Sequence, residues 1–425
     1  MRQPVRSEFG LQTVGLFLLD GLANAADFAF HFWMGRVLIP SDFAILQTLN
    51  SVALVYTTAS GVFQPVVSRF IAEARAKGQH NEVAAIFQTF LRTAFWLGLI
   101  LSLLAFWFAP AIGESLNLPP WTIQISAMVI LLSSLRPIAA GALQGSENFF
   151  AFGIVRLALS LARIGLVFIL IQAGLGLAGA VISLPFGWLV SLLGGFLLLG
   201  RSFWTRSKLA SQSLLREGGK LSFYALIAYI AYMSLMSLDL IGINQNLSGE
   251  LAGAYAGLVL MRRIVALLPG VAVTVMFPRV VRTLAEGGLP TRILVRTAAI
   301  ILAVSGTLSI VYFVFNHQLI GIIFGSAYQA AAPLLGWMGL ATIGVSLSAI
   351  WLNYYLAEKP RNFVVLLGIA VVLEWTFLNL FPVSMESAVL AFGLTGWLLS
   401  LAGPLLYIMN RRRLLRRHAS RTVSQ

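Results

Sequence analysis

The chain of 425 residues is 59% hydrophobic and 10% charged, carries a formal net charge of +14 and contains no cysteine. That composition excludes an ordinary soluble domain, whose surface needs far more charge to stay in water, and it excludes disulfides and thiolate metal sites. The basic excess would point to nucleic acid in a soluble protein; in a membrane protein its placement along the chain matters more than its sum.

A spanning helix takes roughly 20 mostly apolar residues and a connecting loop about 2–8, so the chain has room for about twelve spans. Arg2 and Arg6 precede an apolar run that outlasts a signal peptide and meets no small-residue cleavage site, so it reads as a retained first helix. Apolar runs predict spans at 9–33, 42–64, 83–110, 121–141, 149–172 and 177–200, then at 221–245, 251–276, 293–315, 331–356, 362–381 and 388–409. The connections around 65–82, 201–220 and 277–292 carry charge and glycine and read as short amphipathic links. The expected organisation is a six-helix lobe over 1–205, a cytoplasmic linker over 206–220, and a second six-helix lobe over 221–425 that ends in a basic cytoplasmic tail.

With the N-terminus inside, the predicted cytoplasmic segments hold 21 of the 29 Lys and Arg residues, the outer loops hold Arg36, and seven lie within spans. Basic loops mark the cytoplasmic side, so both termini are expected there, in a multi-pass cell-membrane protein. The same alternation checks the span count, because one missed helix would invert it.

The chain also repeats itself. Pro65-Val-Val-Ser-Arg69-Phe-Ile-Ala-Glu73 is echoed by Pro278-Arg-Val-Val-Arg282-Thr-Leu-Ala-Glu286, Asn148-Phe149 by Asn362-Phe363, and Gly187-Trp-Leu-Val-Ser-Leu-Leu-Gly194 by Gly396-Trp-Leu-Leu-Ser-Leu-Ala-Gly403. The offsets run from 209 to 214, about half the chain. Each half holds an even number of spans, so the repeats are parallel, and the expected fold is all-α: about twelve transmembrane helices in two six-helix lobes related by pseudo-twofold symmetry. Such symmetry is common in transporters, with the substrate path between the lobes.

Ionisable groups inside spans are costly and usually face a partner or a watery cavity. Span one carries Asp20, Asn24, Asp27 and His31 at a spacing that puts all four on one helix face. The bland alternative is a stripe that pairs with neighbouring helices or meets water at the outer end. Span five carries Arg156 and Arg163, seven residues apart on one face, with Arg163 roughly 20 Å deep at 1.5 Å per residue. Span eight carries Arg262 and Arg263, whose directions differ by about 100°, so only one is expected to line a cavity. Arg92, Arg136 and Arg296 lie near cytoplasmic span ends and are expected to snorkel. Asp239 in span seven and Glu374 in span eleven complete the set, Glu374 being either an ion partner for an arginine or a transport residue.

Guanidinium binds phosphate bidentately and stays charged when buried. Arg156, Arg163, Arg262 and Arg263 are therefore the candidate substrate-binding residues for an anionic, phosphate-bearing cargo. Asp20, Asn24, Asp27, Asp239 and Glu374 are the candidate ion-coupling or cavity residues. Pro137, Pro185, Pro269, Pro333 and Pro404 supply joints in or near spans. The sequence has no G-x-x-x-x-G-K-[ST] loop and no H-E-x-x-H, and His31, His80, His317 and His418 are scattered. It reads as a non-enzyme without cofactor, metal or nucleic-acid partner.

At the first outer turn, Met34-Gly-Arg-Val-Leu-Ile-Pro40-Ser-Asp-Phe-Ala-Ile-Leu46 resembles the signature of polysaccharide flippases, a family of the multidrug/oligosaccharidyl-lipid/polysaccharide exporter superfamily. Leu238-Asp239-Leu-Ile-Gly-Ile-Asn244, Leu247-Ser-Gly-Glu-Leu-Ala-Gly253-Ala-Tyr255, Arg262-Arg263-Ile-Val-Ala-Leu-Leu-Pro269 and Phe277-Pro278 continue the resemblance. The family's usual lysine after the span-seven aspartate is Asn244 here, and its usual glycine before Pro40 is Ile39. The resemblance implies a flippase that moves an undecaprenyl-diphosphate-linked oligosaccharide outward by alternating access between two lobes. It would work as a monomer among membrane lipids, with a glycan polymerase as a candidate partner. Twelve spans rather than fourteen argue against the lipid II flippase branch. The competing reading is a Na⁺- or H⁺-coupled multidrug extrusion antiporter of the same superfamily, for which acids and aromatics without deep arginines are expected. A major-facilitator transporter lacks support in the loop after span two, and a membrane glycan ligase would need a larger outer loop.

Overall fold

The computed structural model describes residues 4–205, 212–358 and 361–422, and among them the chain is helical with no strand. The first half runs α1 (Pro4–Val37), α2 (Pro40–Gly61), α3 (Phe63–Ala76), α4 (His80–Trp107), α5 (Ala109–Leu116), α6 (Pro120–Gly145), α7 (Phe149–Gln172) and α8 (Gly176–Leu198), then a 3-10 turn at Arg201–Trp204. The second runs α9 (Gln212–Leu235), α10 (Leu238–Asn246), α11 (Gly249–Ala285), α12 (Thr291–Val314), α13 (Asn316–Ile323), a 3-10 segment at Ser326–Leu334, α14 (Leu335–Glu358), α15 (Arg361–Leu380) and α16 (Met385–Thr422). Packing divides the chain into two units, Met1–Leu226 and Ile227–Gln425. Of the linker expected at 206–220, residues 206–211 lie outside the described ones, and Gln212 onward is helix α9. Arg2, Arg206, Lys208 and Lys359 also lie outside the described residues.

Among the described residues nine helices are long and apolar enough to cross a membrane, or ten if the bent pair α9–α10 is one span. They coincide with expected spans three to twelve, and the protein is a multi-pass membrane protein. The expected count of twelve is not reached by this measure. Spans one and two are helices α1 and α2, of 34 and 22 residues, whose runs are interrupted by Asp20, Asn24 and Asp27 and by Gln47, Asn50 and a series of hydroxyl side chains. Those polar residues lower the mean hydropathy of α2, and for α1 the measure takes in only its described part.

Helix ends follow local chemistry. Pro40 and Pro120 open α2 and α6, where a missing N–H costs nothing and the fixed φ favours the helix. Asn148 accepts the Ala151 N–H at the start of α7. Gly174, at φ +81°, makes the left-handed turn between α7 and α8 that a side chain would resist.

Each unit is organised around one central helix. In the first, α6 is two-thirds buried (67% of its apolar window) and packs against α2, α3, α4 and α8. In the second, α14 is buried to the same 67% and packs against α11, α12 and α16. Small residues allow the close approach on which helix association in lipid depends. A Cβ on Gly145 would lie 2.5 Å from the Ser68 carbonyl of α3, and one on Gly396 would lie 2.8 Å from the Val345 nitrogen of α14.

Candidate functional site

In the first unit, α1 packs along α7. Asp20 meets Arg156 and Asp27 meets Arg163, each pair 136 positions apart. A constant offset requires two parallel helices in fixed register, and the seven-residue spacing of both pairs keeps the contacts on one seam. Arg156 Nη1 lies 2.7 Å from Asp20 Oδ1 and donates to Oδ2 at 2.8 Å, while Nη2 donates to Asn24 Oδ1 at 3.0 Å. Arg163 Nη2 donates to Asp27 Oδ1, and its guanidinium stacks 4.0 Å over the Phe30 ring. Gly187 of α8 makes room for this arginine: a Cβ there would sit 2.7 Å from the Leu159 carbonyl and 3.2 Å from Arg163 Cβ.

The seam continues to buried His31. Gln47 Nε2 of α2 donates to its Nδ1 at 2.9 Å, which turns Nε2 towards Asp27 Oδ2, 3.9 Å away. The ladder is not sealed. The side chain of Asp27 is 44% exposed although Arg163 is only 8% exposed, and Asp20 and Arg156 are each more than a third exposed.

The second unit treats the same chemistry differently. Helices α9 and α10 together are long and apolar enough for one span and meet at a bend of 43°, with Met236 and Ser237 between them. A break inside a membrane frees backbone groups that must find partners in the protein. Arg262 of α11 supplies one: its Nη2 donates to the Met236 carbonyl. Its Nη1 donates to Asp239 Oδ2 in the first turn of α10, and its Nη2 also reaches Oδ1 at 3.2 Å. Tyr255 Oη donates to Asp239 Oδ2 at 2.7 Å, and Phe392 covers the guanidinium face at 4.3 Å. Asp239 and Arg262 are 0% and 1% exposed. Arg263, one position on, is half-buried.

Glu374 of α15 is fully buried in this unit. Its Oε2 accepts a long bond of 3.4 Å from Thr395, and Oε1 has no hydrogen-bond partner among the described residues.

The residues singled out from sequence thus fall into two clusters, one per unit. Asp20, Asn24, Asp27, Arg156 and Arg163 come together, as do Asp239 and Arg262. Pairing with a neighbouring helix was one of the alternatives for the span-one stripe, but spacing alone does not show which arginine meets which acid, nor that Tyr255, Met236 and Phe392 enclose Arg262. Of the arginines expected to snorkel, Arg92 and Arg296 are exposed, whereas Arg136 is half-buried and hydrogen-bonded to Ser191 of α8. Among the described residues no group of three or more His, Asp or Glu could hold a metal ion.

Residues 12–284 match the sequence profile of the family described as polysaccharide biosynthesis protein. Among solved structures, the fold is similar to an inward-facing multidrug resistance MATE family transporter of the MOP superfamily, with a TM-score of 0.77 at 13% identity, over 93% of this chain and 96% of that one. An outward-facing MATE family transporter gives a TM-score of 0.63 at 15% identity over 95% of both chains. The lipid II flippase MurJ, in an inward closed conformation, gives 0.70 at 13% identity over 94% of this chain and 87% of that one. No curated protein matches the chain.

Proposed function

The chain belongs to the polysaccharide biosynthesis protein family, and from that premise we propose that it flips an undecaprenyl-diphosphate-linked oligosaccharide from the cytoplasmic to the outer leaflet by alternating access. The observation that carries this reading is the half-open charge ladder on α1 and α7. Charged groups in a membrane-spanning segment keep access to their surroundings only where water or a polar cargo meets them. A seam of alternating carboxylates and guanidinium groups offers the hydrogen bonds that a hydrated sugar and an anionic headgroup require. Arg262, held by Asp239, Tyr255 and the Met236 carbonyl, acts in this scheme as a structural cation of the second unit. The distribution of Lys and Arg sets the orientation, with both termini cytoplasmic.

The test is reconstitution in liposomes with a fluorescent undecaprenyl-diphosphate oligosaccharide and a membrane-impermeant quencher outside. Protein-dependent arrival of the probe in the quenchable leaflet is expected; no transfer above empty liposomes would overturn the reading. A second reading, cation-coupled drug extrusion, draws on the fold similarity to MATE transporters. It predicts that the same liposomes move a cationic dye against a Na⁺ or H⁺ gradient. The one-to-one neutralisation of Asp20 and Asp27 by arginine disfavours it, because a cationic drug would find no uncompensated carboxylate on that seam.

A further inference from the structure

We propose that Arg136, on the central helix α6, forms an anion site that takes a phosphate or diphosphate group at the cytoplasmic side of the first unit. The argument begins with charge. Within the predicted spans of this unit stand Arg92, Arg136, Arg156 and Arg163 against Asp20, Asp27 and, at the outer start of span two, Asp42. Arg156 is committed to Asp20 and Arg163 to Asp27, and Arg92 is exposed on α4. Arg136 is left as a half-buried cation with no carboxylate partner among the described residues, although it lies near enough to Arg156 and Asp20 to feel both charges.

The geometry then says which edge is offered. Arg136 Nε donates to Ser191 Oγ at 2.9 Å, and Ser191 in turn donates to the Val155 carbonyl at 2.8 Å. Trp188, one turn earlier on α8, lies against the guanidinium at 5.6 Å. The arginine is therefore anchored through Nε and flanked by an indole, while Nη1 and Nη2 make no hydrogen bond to a described residue. A guanidinium held this way presents its terminal fork, the geometry that matches two oxygens of a phosphate.

Depth supports the same ligand. Arg136 is nine residues from the end of α6 at Gly145, roughly 13 Å at 1.5 Å per residue, in the half of the span assigned to the cytoplasmic leaflet. A diphosphate drawn from that leaflet's headgroup region into the lobe would pass this level on its way inward. The identity of the cargo rests on the flippase reading; the anion site itself does not, since a phospholipid headgroup offers the same chemistry.

The experiment uses the full-length protein in detergent and asks whether Arg136 is protected from phenylglyoxal, read by peptide mass spectrometry. The probes are farnesyl diphosphate, farnesol and dioleoylphosphatidylglycerol. Protection by farnesyl diphosphate and not by the other two is expected. Equal protection by phosphatidylglycerol keeps the anion site but assigns it to a membrane phospholipid, and the flippase reading then loses its support here. No protection by either phosphate compound overturns the proposal. In direct binding, R136Q should weaken farnesyl diphosphate by about tenfold, the factor one charge-assisted hydrogen bond represents. R136K, which keeps the charge and loses the fork, should fall between. The neutral double variant R69Q/E73Q should bind within about threefold of wild type, because it removes an exposed pair that already cancels and that lies outside the proposed cargo seam. Wild-type affinity in R136Q at an unchanged melting temperature would sink the site.

Discussion

The two units hold the same chemical element, an aspartate facing an arginine on a neighbouring helix, in opposite surroundings. On the α1–α7 seam of the first unit the carboxylates stay substantially exposed, 44% in the case of Asp27. In the second unit Asp239 is 0% exposed, and Arg262 has a tyrosine hydroxyl, a backbone carbonyl and an aromatic ring around the pair. An exposed pair contributes little to stability and can exchange one partner for another; a sealed pair contributes little net but is very costly to break. The first arrangement suits a surface that meets cargo, and the second suits a fastening for a bent span.

That contrast can be broken most directly at Arg262. R262M would strand Asp239 and release the Met236 carbonyl at once, and a loss of about 3–5 kcal/mol is expected in denaturant or thermal unfolding. D239N/R262M should recover much of it, because no charge is then left unpaired. If R262M cost no more than R163M, the distinction between the units would fail. R163M should itself cost about 1–3 kcal/mol, since Asp27 retains access to water when its partner is gone. Both R163A and R163K should slow flipping in the liposome assay if the planar fork matters; unchanged transport in both would remove Arg163 from the cargo path. R156Q is smaller again, about 0–1 kcal/mol, and should shrink further with added salt.

The smallest effect belongs to a feature the two units share. Arg69 donates to Glu73 at 2.8 Å at the end of α3, and Arg282 donates to Glu286 at 2.8 Å at the end of α11. These are the two copies of the internal repeat, both exposed i,i+4 pairs. The hydrogen bond from Arg69 holds the Glu73 carboxyl below the usual carboxylate range. Its contribution is therefore present above the ordinary glutamate pKa and is lost as pH falls through the lowered value. E73Q and E286Q should leave the melting temperature at pH 7 unchanged within error, and a clear drop in only one would mark an asymmetry between the repeats.

Much of the fold was legible because lipid imposes a simple rule on composition. Among the described residues, ten expected spans coincide with helices long and apolar enough to cross a membrane when α9 and α10 are counted together. The seven-residue spacings of Asp20 and Asp27 and of Arg156 and Arg163 were equally plain. What sequence did not reveal is which faces meet. Spacing fixes where a side chain points on its own helix, but a partner 136 positions away is chosen by tertiary packing. The bend at Met236 and Ser237 has no proline or glycine to announce it, and it makes sense only once Arg262 is seen to hold the freed carbonyl. The position of Arg136 along its span says nothing of the Ser191 anchor on another helix.

The equal offset of the two pairs on α1 and α7 has a mechanical consequence. A slip of one turn between these helices would break both pairs together. The next position that restores even one of them is seven residues away, roughly 10 Å at 1.5 Å per residue. The two pairs therefore work as teeth on a rack. Helix α1 cannot creep along α7 in small steps, so any stroke that moves one must carry the other with it as a single rod.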